Sequence, residues 1–484
     1  MGKFYVTTSI AYTNAGPHIG YAMEVVQGDV MARYHRQQGA SVWFLTGTDE
    51  HGTKIARAAQ DNGKTPQAYT DEVSQQFRDL TKLLTVSNDQ FIRTTDADHK
   101  KAAQAFWKAC EKDIYQAEYE GWYCVGCETF YTDIDVPDHV CPIHKKPLEQ
   151  IKEKNWFFKL SNYTNQVKEL VASDTLRIVP QSRKNEIMAL LERGLDDISI
   201  SRDKQQLRWG IEVPGDTTQV MYVWFDALAN YVTALGYPSG DNLAKFWPAD
   251  MQIIGKDILR HHAAIWPAML LSAGLPIPTS LYVHGFITSD GQKMSKSIGN
   301  VVGPQDIVDK YGVDALRFYL LHEIPADGDG DFTWDRMEAV YNSALANELG
   351  NLVQRVAVMV TKYFGGEVGE VPPHSHDVKP YQDAMVTYRF DKALDEVWQL
   401  IKGLNQYIEE EKPWALAKTD TTQLAYVLRQ AVSDLDQISM LLLPFLPTTA
   451  GKIQATFASG VVHPEVGLLF PKADVVEKTE FKVE

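Results

Sequence analysis

The sequence predicts an α/β domain built on a parallel sheet, interrupted by a cysteine-rich insertion and followed by an all-α domain. Three observations support this fold class. Two strand–helix–strand patterns stand about 200 residues apart, three of the four cysteines fall between them in one eighteen-residue window, and long amphipathic helical patterns fill the C-terminal third. The 484 residues, 44% hydrophobic and 23% charged, have the composition of a globular protein with two to four domains.

The first pattern opens with an apolar strand around Phe4–Val6 and continues into a helix predicted from His18 to Gln38. The apolar run 41–46 is predicted as a short buried strand, and the polar run 47–52 as a loop at its carboxyl end. Open α/β sheets bind their ligands at that edge, so this loop is a candidate site.

The second pattern has strands at 251–254 and 281–283, with a helix predicted from Asp257 to Ala273. The two patterns together indicate two halves of one Rossmann-like nucleotide-binding sheet, and the later helices include 341–363 and 388–411. The predicted segments are the first half of the sheet domain (1–114), the cysteine-rich connective insertion (115–185), the second half (186–332), the helical domain (333–470) and a tail (471–484).

Bulk properties exclude several classes of protein. The sequence has no apolar run of about 18 residues and no signal peptide at its start, so we expect a cytoplasmic protein without a membrane partner. The clustered cysteines favour a metal site over disulfides, and Cys110 is predicted to be an isolated buried thiol. The net charge of −16 opposes a nucleic-acid partner, although local Lys and Arg on one face would suffice, and this tension stays open.

The strongest short motif is the run Lys293-Met294-Ser295-Lys296-Ser297, which lies in a glycine-flanked loop after an apolar strand. Two lysines three residues apart can bracket a triphosphate and neutralise the charge that develops on pyrophosphate as it leaves. The alternative interpretation is a solvated basic loop.

A second motif, Pro17-His18-Ile19-Gly20, stands at the start of the first predicted helix. Free backbone N–H groups and the positive end of the helix dipole attract phosphate there, and an imidazole can donate to an anionic oxygen. Gly20 would leave room for a nucleotide. Taken alone, a histidine in this position is more often a helix cap.

The third motif is Cys124-x2-Cys127-x13-Cys141-x2-His144. Two such knuckles supply four soft ligands to a tetrahedral Zn²⁺ ion and leave no open coordination position for catalysis. The spacing therefore predicts one structural zinc ion, held by Cys124, Cys127, Cys141 and His144.

The first two motifs, in this order and each beside a Rossmann-like strand, resemble the HIGH and KMSKS signatures of class I aminoacyl-tRNA synthetases. The HIGH motif reads His18-Ile19-Gly20-Tyr21, so that Tyr21 replaces the second histidine, and its phenol can still donate a hydrogen bond. The runs 12–14, 47–52, 222–227 and 255–258, with His262 and Trp266, resemble the methionyl-tRNA synthetase family over about 4–470.

The resemblance implies a reaction in which ATP activates methionine to methionyl-adenylate, with release of pyrophosphate, before transfer of methionine to the 3′ end of its tRNA. It implies Mg²⁺ bound with ATP and a zinc knuckle that helps to place the acceptor end of the tRNA. The implied catalytic residues are His18, Lys293 and Lys296, and the implied ATP-binding residues are Asn14, His18, Gly20, Tyr21, Gly255, Asp257, Lys293, Ser295 and Lys296.

A methionine pocket is implied as well. A thioether has no strong hydrogen-bonding group, so its recognition requires a shaped apolar and aromatic box, while one carboxylate holds the charged amine. Asp49 would bind the α-ammonium group, and two positions, Ala11 and His261, look variable within the family. The remaining implied pocket residues are Ile10, Tyr12, Trp224, Ala227, Leu228, Tyr231, Ile258, His262 and Trp266.

The helical domain resembles the anticodon-binding helix bundle of that family. Asn351 and Arg355 are four residues apart and therefore share a helix face from which they could read base edges, while Trp414 could stack on an unstacked base. Without the resemblance, a surface pair and a buried tryptophan would be the simpler interpretation. The expected partner is methionine tRNA, both initiator and elongator.

Three other functions remain as alternatives. A synthetase for leucine, isoleucine, valine or cysteine would usually carry a larger insertion or a catalytic zinc, and an ATP-dependent nucleotidyltransferase would have no use for Asn351, Arg355 and Trp414. A tRNA-binding paralogue without activity would not need Asp49, Trp224 and Lys296, whereas Tyr21 is compatible with it. The sequence ends soon after the helical domain, without a dimerising module, so we expect a monomer.

Overall fold

The computed structural model describes residues 2–124, 129–131, 136–142, 145–293, 301–457, 461–462 and 469–471. The chain forms two compact units, the first drawn from 1–17, 35–82 and 86–284, and the second from 18–34, 83–85 and 285–484. Within the described residues, no helix has both the length and the apolar character needed to cross a bilayer.

The strands of the described residues, numbered in chain order, are β1 (Lys3–Thr8), β2 (Ala11–Tyr12), β3 (Ser41–Asp49), β4 (Gln90–Arg93), β5 (Ile114–Cys124), β6 (Thr129–Tyr131), β7 (Glu149–Phe158), β8 (Arg177–Val179), β9 (Ile198–Ser199), β10 (Ser201–Asp203), β11 (Glu212–Val213), β12 (Asp216–Met221), β13 (Met251–Gly255), β14 (Ser280–His284), β15 (Ile287–Ser289), β16 (Gln292–Lys293) and β17 (Gly330–Phe332).

The α-helices of the same residues are α1 (Ile19–Gln37), α2 (Thr53–Asp61), α3 (Pro66–Leu83), α4 (Ala97–Ala109), α5 (Thr164–Ala172), α6 (Gln181–Arg193), α7 (Val223–Leu228), α8 (Asn230–Thr233), α9 (Asp241–Phe246), α10 (Trp266–Ala273), α11 (Pro304–Tyr311), α12 (Val313–Phe318), α13 (Trp334–Val340), α14 (Asn351–Phe364), α15 (Lys379–Val386), α16 (Phe390–Glu411), α17 (Pro413–Thr419), α18 (Thr421–Leu442) and α19 (Pro447–Phe457). Short 3₁₀ helices span Glu111–Asp113, Leu160–Tyr163 and Lys256–Ile258, and π-helices span His261–Ile265, Tyr319–Glu323 and Tyr341–Gly350.

The first unit is organised around a seven-stranded parallel sheet in the order β2-β3-β1-β13-β14-β8, with β4 also paired to β3. β1 lies in the middle, with Val6 opposite Phe44 of β3 and opposite Met251 of β13. The two halves predicted from sequence therefore form one sheet, as expected. Since all these strands are parallel, their carboxyl ends meet at one edge, the edge at which such sheets bind ligands.

One strand is longer than predicted. β3 continues through Gly47 to Asp49, so the first part of the predicted polar loop 47–52 is strand. Two neighbours extend it, because β4 places Ile92 opposite Gly47 and β2 places Tyr12 opposite Asp49. A Cβ atom on Gly47 would lie 2.1 Å from the Ile92 carbonyl oxygen, so only glycine permits this pairing.

The predicted insertion 115–185 is largely separate from the parallel sheet, because β5, β6, β7 and β9 form an antiparallel sheet of their own. One strand of this segment nevertheless joins the parallel sheet. β8 lies inside this segment and pairs with β14 in the parallel sheet, with Ile178 opposite Leu281. Three residues are too few to show a periodic pattern, which is why the sequence did not indicate this strand.

Helices dominate the second unit, as the sequence predicted. The predicted helix 341–363 is a π-helix followed by α14, and the predicted helix 388–411 is α16. Tyr388 has a φ of 59°, a left-handed backbone that keeps it outside the helix. The predicted helix 257–273 in the first unit is likewise divided into 3₁₀, π and α segments.

A buried ion pair joins three parts of the second unit. The Arg317 side chain is fully buried, and its Nη2 lies 2.8 Å from Asp29 Oδ2 on α1. The same guanidinium donates to the backbone oxygens of Leu84, Pro444 and Phe445 at 3.1, 3.0 and 2.7 Å. Arg317 thus links α12 to α1 and to the turn that precedes α19.

Candidate active site

The apolar region of the first unit contains a hydrogen-bonded tyrosine–histidine pair. The Tyr231 hydroxyl lies 2.7 Å from His262 Nε2, and His262 Nδ1 lies 3.1 Å from the Ile258 carbonyl oxygen. A carbonyl only accepts, so Nδ1 carries the proton and Nε2 accepts from the tyrosine. Burial lowers the pKa of His262 to about 4, which keeps the ring neutral at pH 7. The pair is therefore a fixed, uncharged element.

Aromatic and aliphatic side chains surround this pair. Trp266 is fully buried, with its ring centroid 5.8 Å from that of Tyr231, while Trp224 stacks on His261 at 3.7 Å. Leu228, Tyr231 and Trp266 belong to one hydrophobic core cluster, and Ile10, Trp224 and Ile258 pack against it; Ala227 is buried on α7. Six of the predicted pocket residues, Ile10, Trp224, Leu228, Tyr231, Ile258 and Trp266, therefore belong to or pack against the hydrophobic core of the first unit.

Asp49 lies at the carboxyl end of β3, opposite Tyr12. Its backbone oxygen accepts from the amide and the hydroxyl of Thr13 at 3.0 and 3.1 Å, which fixes the end of the strand. The side chain is only 7% exposed. A carboxylate with so little access to water is well suited to bind a cationic group of a ligand.

The polar residues after Asp49 form a buried network that the sequence analysis did not assign. Arg93 binds both carboxylate oxygens of Glu50, at 2.7 and 2.9 Å, and the hydroxyls of Thr48 and Thr95 also donate to Glu50. Glu50 is fully buried. The acidic run at a strand end could have suggested this role, since a buried carboxylate requires a charged or hydrogen-bonding partner.

Asp226, on the helix that carries Trp224, accepts hydrogen bonds from two histidines. Its Oδ2 lies 2.6 Å from His51 Nδ1 and its Oδ1 lies 2.7 Å from His99 Nε2. Burial raises the pKa of Asp226, but the two histidines outweigh burial and hold the pKa at about 2. Asp226 and His51 lie in runs that the sequence analysis quoted without a role; His99, on an amphipathic helix, gave no signal.

The predicted ATP-binding residues of the first unit lie near the carboxyl ends of strands. β13 ends at Gly255, opposite His284 at the end of β14. A Cβ atom on Gly255 would lie 2.7 Å from Asp257 Oδ1, so the carboxylate occupies the space that the glycine leaves. The backbone oxygen of Asn14 accepts from the Tyr69 hydroxyl at 3.1 Å.

The HIGH-like residues lie in the second unit, at the start of α1. His18 Nδ1 accepts from the Gly20 amide at 3.1 Å, so Nε2 carries the proton of the neutral ring and can donate to a ligand. A Cβ atom on residue 20 would lie 2.9 Å from the His18 ring, so a side chain at this position would displace the histidine. Tyr21 is buried, with 8% exposure.

The KMSKS-like run is described only at its beginning. Lys293 ends β16, which pairs with β15. Ser295 and Lys296 lie outside the described residues, so their contacts are not part of the described site.

The predicted zinc set is described in part. Cys124 and Cys141 are buried in one small cluster with Val136 and Leu148. The Cys141 amide donates to the Lys146 oxygen at 2.9 Å, and its carbonyl accepts from the Lys145 amide at 2.8 Å, so the second cysteine sits in a tight turn. Cys127 and His144 lie outside the described residues, and the rest of the described chain contains no cluster of three potential metal ligands.

In the second unit, Asn351 and Arg355 lie one turn apart on α14, as predicted. Arg355 pairs with Glu409 through Nη1 and donates to Asn405 Oδ1 at 3.0 Å through Nη2. Trp414, on α17, is not buried: it is 42% exposed.

In the first unit, Cys110 is a buried free thiol, as predicted.

Two family models match the chain. The model described as "tRNA synthetases class I (M)" matches residues 4–148 and 134–357. The model described as "Anticodon binding domain of methionyl tRNA ligase" matches residues 372–464.

Three proteins similar to this chain are methionine–tRNA ligases or methionyl-tRNA synthetases. The methionine–tRNA ligase of Thermotoga maritima is 41% identical over 470 residues, which cover 93% of this chain and 74% of that protein. The corresponding ligase of Streptomyces coelicolor is 42% identical over 496 residues, covering 96% of this chain and 91% of that protein. A crystal structure of Mycobacterium tuberculosis methionyl-tRNA synthetase bound by methionyl-adenylate has a TM-score of 0.90 and 35% identity, covering 97% of this chain and 100% of the other.

Proposed function

This chain belongs to the methionyl-tRNA synthetase family of class I aminoacyl-tRNA synthetases, and we propose that the apolar region around Tyr231 and His262 is its methionine pocket. Its activity is the ATP-dependent attachment of methionine to tRNA. The observation that carries the pocket assignment is the neutral Tyr231–His262 pair inside an aromatic cluster. Such a surface favours a thioether over a charged or strongly hydrogen-bonding side chain.

Within this pocket, Asp49 binds the α-ammonium group of methionine. It is almost buried at the carboxyl edge of the sheet, where parallel α/β sheets bind their ligands. Tyr12, the cross-strand neighbour of Asp49, and Ile10 complete the side of the pocket formed after β1. Trp224, Ala227, Leu228, Ile258 and Trp266 form the rest of the apolar surface.

ATP is bound by the residues that the family resemblance implies. Gly255 and Asp257 at the end of β13, and Asn14 after β2, lie near the carboxyl edge of the sheet, where nucleotides bind in such folds. His18 donates to a phosphate oxygen through Nε2, and Gly20, Tyr21, Lys293, Ser295 and Lys296 complete the set. Mg²⁺ bound with ATP supplies further positive charge.

The reaction requires no protein nucleophile. The methionine carboxylate attacks the α-phosphorus of ATP in line and pyrophosphate leaves. A terminal ribose hydroxyl of the tRNA then attacks the carbonyl carbon of the methionyl-adenylate, so that an ester forms and AMP leaves. The residues position the reactants, and His18, Lys293 and Lys296 stabilise the charge that develops on the phosphates. Lys296→Ala is therefore expected to slow activation with little change in methionine affinity, and a change in methionine affinity alone would contradict this role.

Amino-acid-dependent ATP–pyrophosphate exchange, run without tRNA and with each of the twenty amino acids, tests the pocket. Wild-type protein is expected to exchange with methionine alone. Asp49→Asn and Tyr231→Phe should raise the KM for methionine while the KM for ATP stays unchanged, because both side chains are assigned to the amino acid. Unchanged methionine KM in both variants would refute the assignment.

A structural zinc ion, held by Cys124, Cys127, Cys141 and His144, belongs to the same proposal. The support is the sequence spacing, together with the burial of Cys124 and Cys141 in one cluster, where ionised thiolates would need a cation. Metal analysis of purified protein should give one zinc per chain, and Cys127→Ala should release it. A metal-free protein with full stability would contradict the site.

The helical domain is proposed to bind the anticodon through Asn351, Arg355 and Trp414. Asn351 and Arg355 share one face of α14, and the exposed Trp414 offers a surface on which a base can stack. Both initiator and elongator methionine tRNAs are the proposed substrates.

The functional segments are proposed to follow the boundaries 1–114, 115–185, 186–332, 333–470 and 471–484. The second of these contributes β8 to the parallel sheet.

We further propose that the protein is a cytoplasmic monomer. Light scattering coupled to size-exclusion chromatography should give the mass of one chain, and a dimer mass would contradict this.

A further inference from the structure

Asp226 is a carboxylate near the proposed pocket that is buried from solvent. Its two oxygens are used by two histidines, at 2.6 Å by His51 Nδ1 and at 2.7 Å by His99 Nε2. His99 Nδ1 also lies 2.7 Å from the Thr233 hydroxyl. The four side chains form one continuous buried chain of hydrogen bonds within the first unit.

Three of the four residues in this chain of hydrogen bonds follow a proposed pocket residue by two positions in the sequence. His51 follows Asp49 at the end of β3, and Asp226 follows Trp224 on α7. In the same way Thr233 follows Tyr231 on α8, and His99, on α4, connects Asp226 to Thr233. The hydrogen bonds therefore join the strand end that would hold the ammonium group to the two helices that would hold the side chain.

We propose that Asp226 is a positioning residue that sets the distance between the ammonium-binding and side-chain-binding parts of the methionine pocket. The inference rests on the proposed pocket. A substrate that is held at both ends is sensitive to the separation of its two binding groups, and small displacements in such sites have large effects.

The chemistry requires a carboxylate. An ionised carboxylate only accepts, so His51 must present Nδ1–H and His99 must present Nε2–H, which fixes the orientation of both rings. An asparagine of the same shape has one accepting oxygen, so one of the two histidines would lose its partner. A buried polar network that is only partly satisfied rearranges.

The primary test is Asp226→Asn, measured by methionine-dependent pyrophosphate exchange with active-site titration. The expected result is a rise of about tenfold or more in the KM for methionine, with the KM for ATP and the kcat per active site changed by less than about threefold. A merely structural role would lower the active fraction and the melting temperature and leave the methionine KM unchanged. That outcome would overturn the proposal.

Substitutions of His51 keep the proposal testable even if Asp226→Asn does not fold. His51→Asn places an amide N–H near the position of Nδ1 and is expected to keep a methionine KM close to that of the wild type. His51→Leu removes the donor and should raise the methionine KM as Asp226→Asn does. Equal KM values for the two variants would contradict the hydrogen-bond argument.

Two controls separate this inference from the pocket assignment. Asp49→Asn should raise the methionine KM if the pocket is correct; an unchanged value would remove the pocket and this inference with it. A raised value for Asp49→Asn with an unchanged value for Asp226→Asn would overturn the inference alone. Asp314→Asn removes another buried carboxylate, one that accepts from the Thr449 amide at 2.5 Å in the second unit, and should leave the methionine KM unchanged.

Discussion

Gly47 is a position in the parallel sheet with no room for a side chain. Because a Cβ atom there would lie 2.1 Å from the Ile92 carbonyl oxygen, Gly47→Ala must separate β3 from β4. We expect a loss of about 3 kcal/mol in the free energy of unfolding, measured by urea denaturation.

The matched control is Gly403→Ala on α16, where no atom beyond the neighbouring helix backbone lies within 4 Å of the added carbon. Alanine is the better helix former, so this variant should gain about 0.5–1 kcal/mol. If both substitutions cost the same, the close approach at Gly47 is not what limits that position.

His262 gives stability a definite dependence on pH. Its pKa is about 4 in the folded protein and 6.5 when unfolded, because burial disfavours the charged ring. The unfolded chain therefore binds the proton more tightly. The part of the unfolding free energy that depends on keeping His262 neutral is complete above pH 6.5 and is lost as the pH falls from 6.5 through 4. The resulting change in the free energy of unfolding amounts to about 3 kcal/mol.

His262→Asn keeps an N–H group near the Ile258 oxygen but does not titrate. The difference in unfolding free energy between wild type and this variant should shrink as the pH is lowered through that window. His322 is a control of opposite sign, since its pairing with Glu323 and Asp395 outweighs burial and raises its pKa. The contribution of His322 is complete below pH 6.5 and should be lost as the pH rises through its raised pKa.

Single residues differed in how well the sequence indicated them. The family resemblance implied that Asp49 binds the ammonium group, and the structure shows this residue almost buried at the sheet edge. His99 was not found, because a lone histidine on an amphipathic helix carries no signal until Asp226, 127 residues later, is seen to lie 2.7 Å away. Long-range polar pairs of this kind leave no local pattern.

At the scale of elements, the pair of Arg317 and Asp29 fixes α1 against α12. Arg317→Met is expected to cost about 3–5 kcal/mol, because it leaves the fully buried Asp29 carboxylate with fewer charged partners. Arg33 also contacts Asp29, at 2.7 Å, and limits the loss.

A double-mutant cycle tests this pair. Asp29→Leu combined with Arg317→Met removes both charges and should recover part of the stability that Arg317→Met loses, as measured by chemical denaturation. Strictly additive losses would show that the stability lost in Arg317→Met comes from its contacts with the backbone of Leu84, Pro444 and Phe445 and not from the charge pair.

Elements with a long periodic pattern were predicted well, as the agreement of 18–38 with α1 and of 388–411 with α16 shows. Two of the π-helices, His261–Ile265 and Tyr341–Gly350, were predicted as ordinary helix, because five to ten residues cannot separate their wider period from 3.6. β3 was predicted too short, since the polar residues at its end satisfy their hydrogen bonds through β2 and β4 rather than through water.

At the scale of the whole molecule, amino-acid activation and tRNA recognition are expected to separate by mutation. Trp414→Ala should raise the KM for methionine tRNA in aminoacylation by about tenfold or more, the loss of one stacked base, while tRNA-free pyrophosphate exchange stays unchanged. Trp334→Ala is the matched control, because Trp334 lies on α13 in the same unit and is 41% exposed against 42% for Trp414. Equal effects would refute the role of Trp414.

The order of strands in the parallel sheet also matters during synthesis. β1 leaves the ribosome early, but one of its two neighbours, β13, is about 245 residues further along the chain. At about 5–20 residues per second, that edge of β1 waits on the order of ten to fifty seconds for its partner. An unpaired strand edge is a template for aggregation, so the nascent chain is most exposed to intermolecular strand pairing before β13 emerges.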